Sequence, residues 1–232
     1  ADGQPKRDFD AAKIGDGRAG DQPNAGFAKT EGLRGVFGAP NLRICKMRRH
    51  NGGMTMAYTK AITLLDGAMG TMLQKAGLKL GDRPETLSIT AADVVEGIQR
   101  QYVQAGTRLL LANTFCANAH KLAGTGFEVE DVIRASVAVA RRACAGTDVL
   151  LDVGPIGELL EPLGTLKFDE AYALYAQMIR AGAAAGAEGV FFETFSDLNE
   201  LRAGVLAAKE CSDLPVFASM TFEASGRTFL GC

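Results

Sequence analysis

From residue 60 onward the chain alternates between two spacings of apolar residues. Short, largely apolar runs fall at 62–66, 108–113, 148–153, 189–193 and 215–221, as expected of buried parallel strands. Between them, apolar positions recur every three to four residues over 90–105, 129–144, 168–187 and 197–211, which predicts amphipathic helices. Val94, Ile98, Tyr102 and Val103 share one face of the first of these; Thr90 with Asp93 predicts a capping box at its start, and Gly106 its end. Asp197 with Glu200 repeats the start signal one unit later, and the Ala-rich stretch 181–187 reads as helix packed closely on a sheet. Five strands alternating with four helices predict a parallel α/β architecture, either doubly wound or a (β/α)8 barrel.

The runs end on polar residues: Asp66-Gly67, Asn113-Thr114, Asp152-Val153-Gly154-Pro155, Glu193-Thr194 and Thr221-Phe222-Glu223. In a barrel all of these loops gather on the C-terminal face, whereas in an open sheet only those at the switch point converge. Five polar strand ends in succession favour the barrel. Two of the ends are acids met in the same way, Asp66 after Ile62–Leu65 and Glu193 after Gly189–Phe192. Two carboxylates on one rim suit a shared ammonium group, which points to a small amino-acid substrate and so to an enzyme. Each acid alone says less: an Asp-Gly after a strand is most often a turn, and a Glu at a strand end pairs readily with an Arg from a neighbouring loop. Asp152 is a weaker candidate, because an Asp at a strand end often caps its own loop.

Composition changes the picture at the N-terminus. Residues 1–53 carry ten Lys or Arg against six acids, net +4, so the remainder of this net −2 chain is net −6. The same stretch holds 10 of the 28 glycines and no sustained period, and is expected to be a disordered tail. Met54 and Met56 stand just before the first strand, and one of them is the expected start of native translation, with 54–232 the folded domain. The near-neutral total gives no electrostatic case for nucleic acid or an anionic membrane. No apolar run approaches the roughly 18–20 residues of a membrane span. The five cysteines (45, 116, 144, 211 and 232) form no CxxC pair, which fits reduced thiols in the cytoplasm and no zinc site built from these alone.

The stretch Asp66-Gly67-Ala68-Met69-Gly70-Thr71-Met72-Leu73-Gln74 resembles the opening of the homocysteine S-methyltransferase domain, which is also the first module of cobalamin-dependent methionine synthase. The likeness continues through Arg83-Pro84-Glu85, Tyr102-Val103-Gln104-Ala105-Gly106 and Asn113-Thr114-Phe115-Cys116-Ala117-Asn118. It resumes at Phe192-Glu193-Thr194-Phe195, at Met220-Thr221-Phe222-Glu223 and at Ser225-Gly226-Arg227-Thr228, so it spans residues 61–232. Each piece is weak alone; together, in order, they are specific.

The resemblance implies a (β/α)8 barrel that methylates the thiol of homocysteine to give methionine. It implies a zinc ion that binds the sulfur, since the thiolate is the nucleophile and an alkyl thiol is mostly protonated at neutral pH. It implies that Asp66 and Glu193 hold the substrate amino group, that the backbone at Gly67 holds the carboxylate, and that Asn113 and Thr114 line the site. The methyl donor it leaves open: methyl-cobalamin charged from methyltetrahydrofolate, S-methylmethionine or betaine. Ser88, Gln99 and Ala112 stand where the family often has Asn, His and Thr. The larger departure is length. About five βα units are present, and the family's zinc ligands, a Cys after the sixth strand and a Cys pair near the eighth, have no counterpart in 232 residues. The expected chain is therefore an incomplete barrel carrying the amino-acid clamp without the metal ligands. The competing expectation is a non-catalytic truncated barrel that binds a partner or is a decaying gene product.

Overall fold

The computed structural model describes residues 63–79, 81–144 and 146–232, together with the backbone of 44–50 and 53–59. The element order is β1 (Ile44–His50), β2 (Gly53–Thr59), α1 (Met69–Lys75), a 3-10 turn (Pro84–Thr86), α2 (Leu87–Thr90), α3 (Ala92–Gln104), β3 (Leu109–Leu111), α4 (Ala119–Leu122), α5 (Val129–Ala143), β4 (Asp148–Val153), α6 (Phe168–Ala184), β5 (Gly189–Phe195), α7 (Leu198–Cys211) and β6 (Val216–Met220). Strands β1 and β2 pair antiparallel, from Ile44 opposite Thr59 to His50 opposite Gly53. Strand backbone thus occupies the end of the stretch read from sequence as a tail. The missed signal is Asn51-Gly52 between the two strands, the dipeptide most favoured in short hairpins. Residues 1–43 lie outside the described residues.

Strands β3, β4, β5 and β6 form one parallel sheet in chain order, and Leu65 adds a parallel bridge to Leu109 on the β3 side. Sequential order means that every crossover steps in the same direction. A doubly wound sheet needs a reversal of that direction, so the winding is that of a barrel. The helices accordingly lie on one face. Leu110, Val149, Leu151, Val153, Val190 and Phe192 pack with residues of α5, α6 and α7 in a single core. Side chains alternate across a strand, so Leu111, Asp152, Phe191 and Glu193 face the other way, into the concave side. Two helix glycines set the sheet-to-helix distance. A Cβ on Gly182 would lie 2.7 Å from Leu151 Cδ2, and one on Gly204 would lie 2.5 Å from Phe192 Cε1.

Most expected boundaries hold within a few residues, and β4 matches at both ends. Two expectations fail. The run 62–66 is not buried on both faces: Leu64 is 52% and Leu65 39% exposed, because this segment meets the sheet only through β3 among the described residues, and residue 62 lies outside them. The capping box at Thr90 does not form. Thr90 ends the short α2, where its hydroxyl donates to the Thr86 carbonyl at 3.2 Å, and α3 starts after Ala91 with no side-chain cap. At α7 the Asp197 carboxylate does cap, accepting from the Asn199 and Glu200 amides at 2.7 and 3.4 Å. Glu200 does not close a box there. It turns inward, and its Oε1 accepts from Tyr175 Oη at 2.8 Å and from the Ile156 amide at 2.7 Å.

Candidate active site

The carboxyl ends of the strands surround a cavity of about 440 Å³ lined in part by Asp66, Gly67, Glu85, Asn113, Asp152 and Glu193. Its floor is acidic. Asp66 Oδ2 accepts the Leu111 amide at 3.1 Å, which ties the first segment to β3 where ladder pairing ends; Oδ1 is buried with no partner among the described residues. Burial first, and the charge of Glu193 after it, push Asp66 up to about 7 against the backbone amides of Leu111 and of Asp66 itself, which pull it down. Glu193, the fifth residue of β5, points to the concave side, and burial raises its carboxyl too.

The backbone at Glu193 is shaped for this. Pairing of β5 with β6 slips between Phe192 and Phe195, and Thr194 within the slip has φ 58°, a left-handed conformation that a β-branched residue rarely takes. Such bulges re-aim a side chain, and such strain gathers at functional sites. The Thr194 amide donates to Ser219 Oγ at 3.0 Å, so β6 holds the distortion in place.

The structure brings together four of the five residues named from sequence: Asp66, Gly67, Asn113 and Glu193 all line the cavity. Asn113 is more committed to structure than to a ligand. Its Nδ2 donates to the Pro84 carbonyl at 2.8 Å and to Ser88 Oγ at 3.2 Å, which fixes the turn that carries Glu85. Thr114 is a correction. It is fully buried behind the wall, donating to the Asp152 carbonyl at 2.7 Å and accepting the Asp152 amide at 3.1 Å. β3 has ended at Leu111 and the Thr114 amide donates back to the Ala112 carbonyl at 2.8 Å, so the chain turns here; Asn113 reaches the cavity and Thr114 is directed to the Asp152 backbone behind it. Gly67 is needed for a neighbour: a Cβ there would lie 2.8 Å from Tyr102 Cε1, and Tyr102 Oη donates to the Ala68 carbonyl at 3.4 Å.

Sequence reasoning gave no role to Glu85 and discounted Asp152. Glu85 is 2% exposed; its Oε1 accepts the Cys116 amide at 2.9 Å and its Oε2 is unpartnered among the described residues. Burial raises its carboxyl, while Arg83 and Lys121 oppose the rise. Asp152 is 7% exposed with an unpartnered Oδ1, and burial together with Glu193, Asp66 and Glu85 pushes it well above the usual carboxylate range. A signal for it existed: at the carboxyl end of 148–153 it shares a face with Leu150 and points away from the helices. Cys116 is the thiol at the cavity, and burial followed by Glu85 pushes it up to about 11, so it stays protonated and unreactive.

A family model described as homocysteine S-methyltransferase matches residues 63–231. The chain belongs to the homocysteine S-methyltransferase family. Among curated relatives, the methionine synthase of Mycobacterium leprae (strain TN) is 31% identical over 212 residues, which cover 82% of this chain and 18% of that protein. The methionine synthase of Mycobacterium tuberculosis (strain ATCC 25618 / H37Rv) is 33% identical over 186 residues, covering 72% and 16%. The chain thus spans under a fifth of the length of these relatives. Two crystal structures of the homocysteine methyltransferase MmuM from Escherichia coli share the fold. The oxidized form gives a TM-score of 0.66 at 24% identity, covering 74% of this chain and 66% of that one. The metallated form gives 0.63 at 21%, covering 74% and 67%. The described residues of this homocysteine S-methyltransferase family chain therefore build part of a barrel of that kind, as the winding of its sheet requires.

Proposed function

We propose that the cavity holds the amino-acid end of homocysteine for methylation of its thiol to methionine. The observation that carries this reading is the pairing of Asp66 with Glu193 on the concave side of one parallel sheet, with no ion pair to either carboxylate among the described residues. A ligand ammonium supplies that charge and several N–H donors. Beside Asp66 the chain turns through Gly67 and Ala68 into α1, whose start has no side-chain cap. Backbone amides there are free to receive the ligand carboxylate. Asp66 and Glu193 bind and orient; the Tyr102 ring, lying on Gly67, fixes the backbone that does the same for the carboxylate.

The family resemblance implies zinc for the thiol. Among the described residues no group of three or more His, Cys, Asp or Glu side chains is placed to hold a metal, and the cavity's one thiol is kept protonated by burial. These residues do not fit a zinc set. Residues 54–232 serve in this reading as the N-terminal part of the methyltransferase barrel. The stretch Asp66–Gln74, which resembles the opening of cobalamin-dependent methionine synthase, favours methyl-cobalamin, charged from methyltetrahydrofolate, over S-methylmethionine or betaine as donor. No helix among the described residues is long and apolar enough to cross a membrane, and reduced cysteines fit a cytoplasmic setting.

Calorimetry with L-homocysteine tests the clamp. Asp66→Ala and Glu193→Ala should each weaken binding by about tenfold or more, the worth of a charge-assisted hydrogen bond. Unchanged affinity in both variants overturns the assignment.

A further inference from the structure

We propose that Asp152 is a further substrate-binding residue, the third carboxyl group of a cradle whose other two members are Asp66 and Glu193. The inference rests on the amino-acid reading above and adds to it a residue and a proton. Three facts place Asp152 in the cradle. It lines the same cavity as Asp66 and Glu193. Register sets it opposite Phe191, two residues before Glu193 on the same face of β5, so both acids point to the concave side. Its Oδ1 is buried and meets no hydrogen-bond donor among the described residues, an arrangement that costs free energy in a protein with nothing bound there.

A loop-capping Asp would spend its oxygens on its own backbone turn. Asp152 does so only in part: the Val153 amide acts on its carboxyl as a minor influence, Oδ1 meets no donor among the described residues, and the hydrogen bonds that fix its backbone come from Thr114 Oγ1, which accepts its amide and donates to its carbonyl. The side chain is thereby left for the cavity. The adjoining Gly154 is pressed on the Phe115 ring, where a Cβ would lie 2.6 Å from Cζ, so the strand end cannot shift outward to water.

The charged and titratable groups around the cavity are Asp66 from the first segment, Arg83 and Glu85 from the turn before α2, Cys116 after β3, and Glu193 from β5, with Lys121 of α4 acting on Glu85 and Cys116. Asp66, Glu85 and Glu193 all oppose a negative charge on Asp152. Burial and these three acids favour the protonated form of Asp152 in the ligand-free cavity. An arriving ammonium changes the balance: its N–H groups donate to Asp152, which becomes a carboxylate, and the Asp152 proton leaves to solvent. Ligand binding is thus linked to proton release.

The test uses the full chain and Asp152→Asn, which keeps shape and cannot titrate. Infrared spectra of ligand-free protein at neutral pH should show a protonated-carboxyl band that the variant lacks. Calorimetry with L-homocysteine in two buffers of different protonation enthalpy should show about one proton fewer released by the variant, and an affinity about tenfold or more weaker. If the band is absent from the wild type, or if the variant binds L-homocysteine with equal affinity and equal proton release, the inference fails while the Asp66–Glu193 clamp stands. If the wild type does not bind L-homocysteine at all, the amino-acid reading fails and takes this inference with it. A variant that has lost its fold is recognised by circular dichroism, and Asp152→Glu then carries the test: it restores the band and the proton release only if a carboxyl is required there.

Discussion

Replacing Asp66 by Asn should stabilise the protein at neutral and alkaline pH while weakening ligand binding. The carboxyl of Asp66 is raised from 3.8 to about 7, chiefly by burial. In an acid raised on folding, the unfolded chain ionises first as pH climbs, so the folded state loses stability from near 3.8 until about 7 and stays level above. At 1.36 kcal/mol for each pH unit the loss has a ceiling of about 4 kcal/mol. Water reaching the open side of the cavity lowers it, and about 2–3 kcal/mol is the expected gain for the amide. Asn keeps the one hydrogen bond that matters structurally, because its carbonyl can accept the Leu111 amide that Asp66 Oδ2 accepts now at 3.1 Å. Urea unfolding followed by circular dichroism, from pH 4 to pH 8, measures the effect. The two proteins should be nearly equally stable at pH 4 and diverge towards pH 8 in favour of the variant. Parallel curves, or a variant less stable at pH 8, would show that the site carboxylate is not held at a cost and refute the reasoning.

Glu193→Gln should lower the Asp66 midpoint, since the Glu193 charge is part of what raises it, and a carbon-detected NMR titration of the Asp66 carboxyl reads the change directly. Gly67→Ala should force the Tyr102 ring away from a Cβ placed 2.8 Å from Cε1, costing about 1–3 kcal/mol of stability in thermal unfolding. Adding Tyr102→Ala should recover part of that loss, and a purely additive double variant would count against the contact. Thr194→Gly removes a β-branched residue from φ 58° and should stabilise by up to about 1 kcal/mol, offset by the added freedom of the unfolded chain. Its cost should appear as weaker L-homocysteine binding, because Glu193 is no longer aimed by the strained turn; tighter binding would contradict that role.

The architecture was readable because buried parallel strands under helices announce themselves as short, largely apolar runs. That is why β4 was placed to the residue and why 62–66, paired on one side among the described residues, was read as more buried than it is. Strand order was not readable, since the same alternation serves a barrel and a doubly wound sheet, and only pairing separates them. Asp66 and Glu193 were legible as acids ending apolar runs. Glu85 was not, because it sits in a 3-10 turn with no period to mark its facing and reaches the cavity through the Cys116 amide, 31 residues away. Thr114 was assigned with Asn113 through the family resemblance, and the turn after β3, where the Thr114 amide donates to the Ala112 carbonyl, carries no period that would have separated their facings.

The unfavourable features of this fold collect at one end of the sheet. Unpartnered oxygens of Asp66, Glu85 and Asp152 and the strained Thr194 all lie at or near the carboxyl ends of the strands. Beneath Glu193 the packing is of the opposite kind. The rings of Tyr175, Phe192 and Phe195 meet at centroid distances of 5.8–6.1 Å, and Tyr175 passes on to Glu200, which holds the Ile156 amide in the loop after β4. That cluster grips β5 on the helix side of the residues that face the cavity. A carboxylate kept at a cost can relax either by moving or by taking a proton. The aromatic packing and the bulge resist movement at Glu193, as Phe115 against Gly154 does at Asp152, so protonation is the escape left to an empty cavity and a bound ammonium is the better one. In the proposed clamp, the same rigidity that makes the acids expensive in the free protein is what would select a cation.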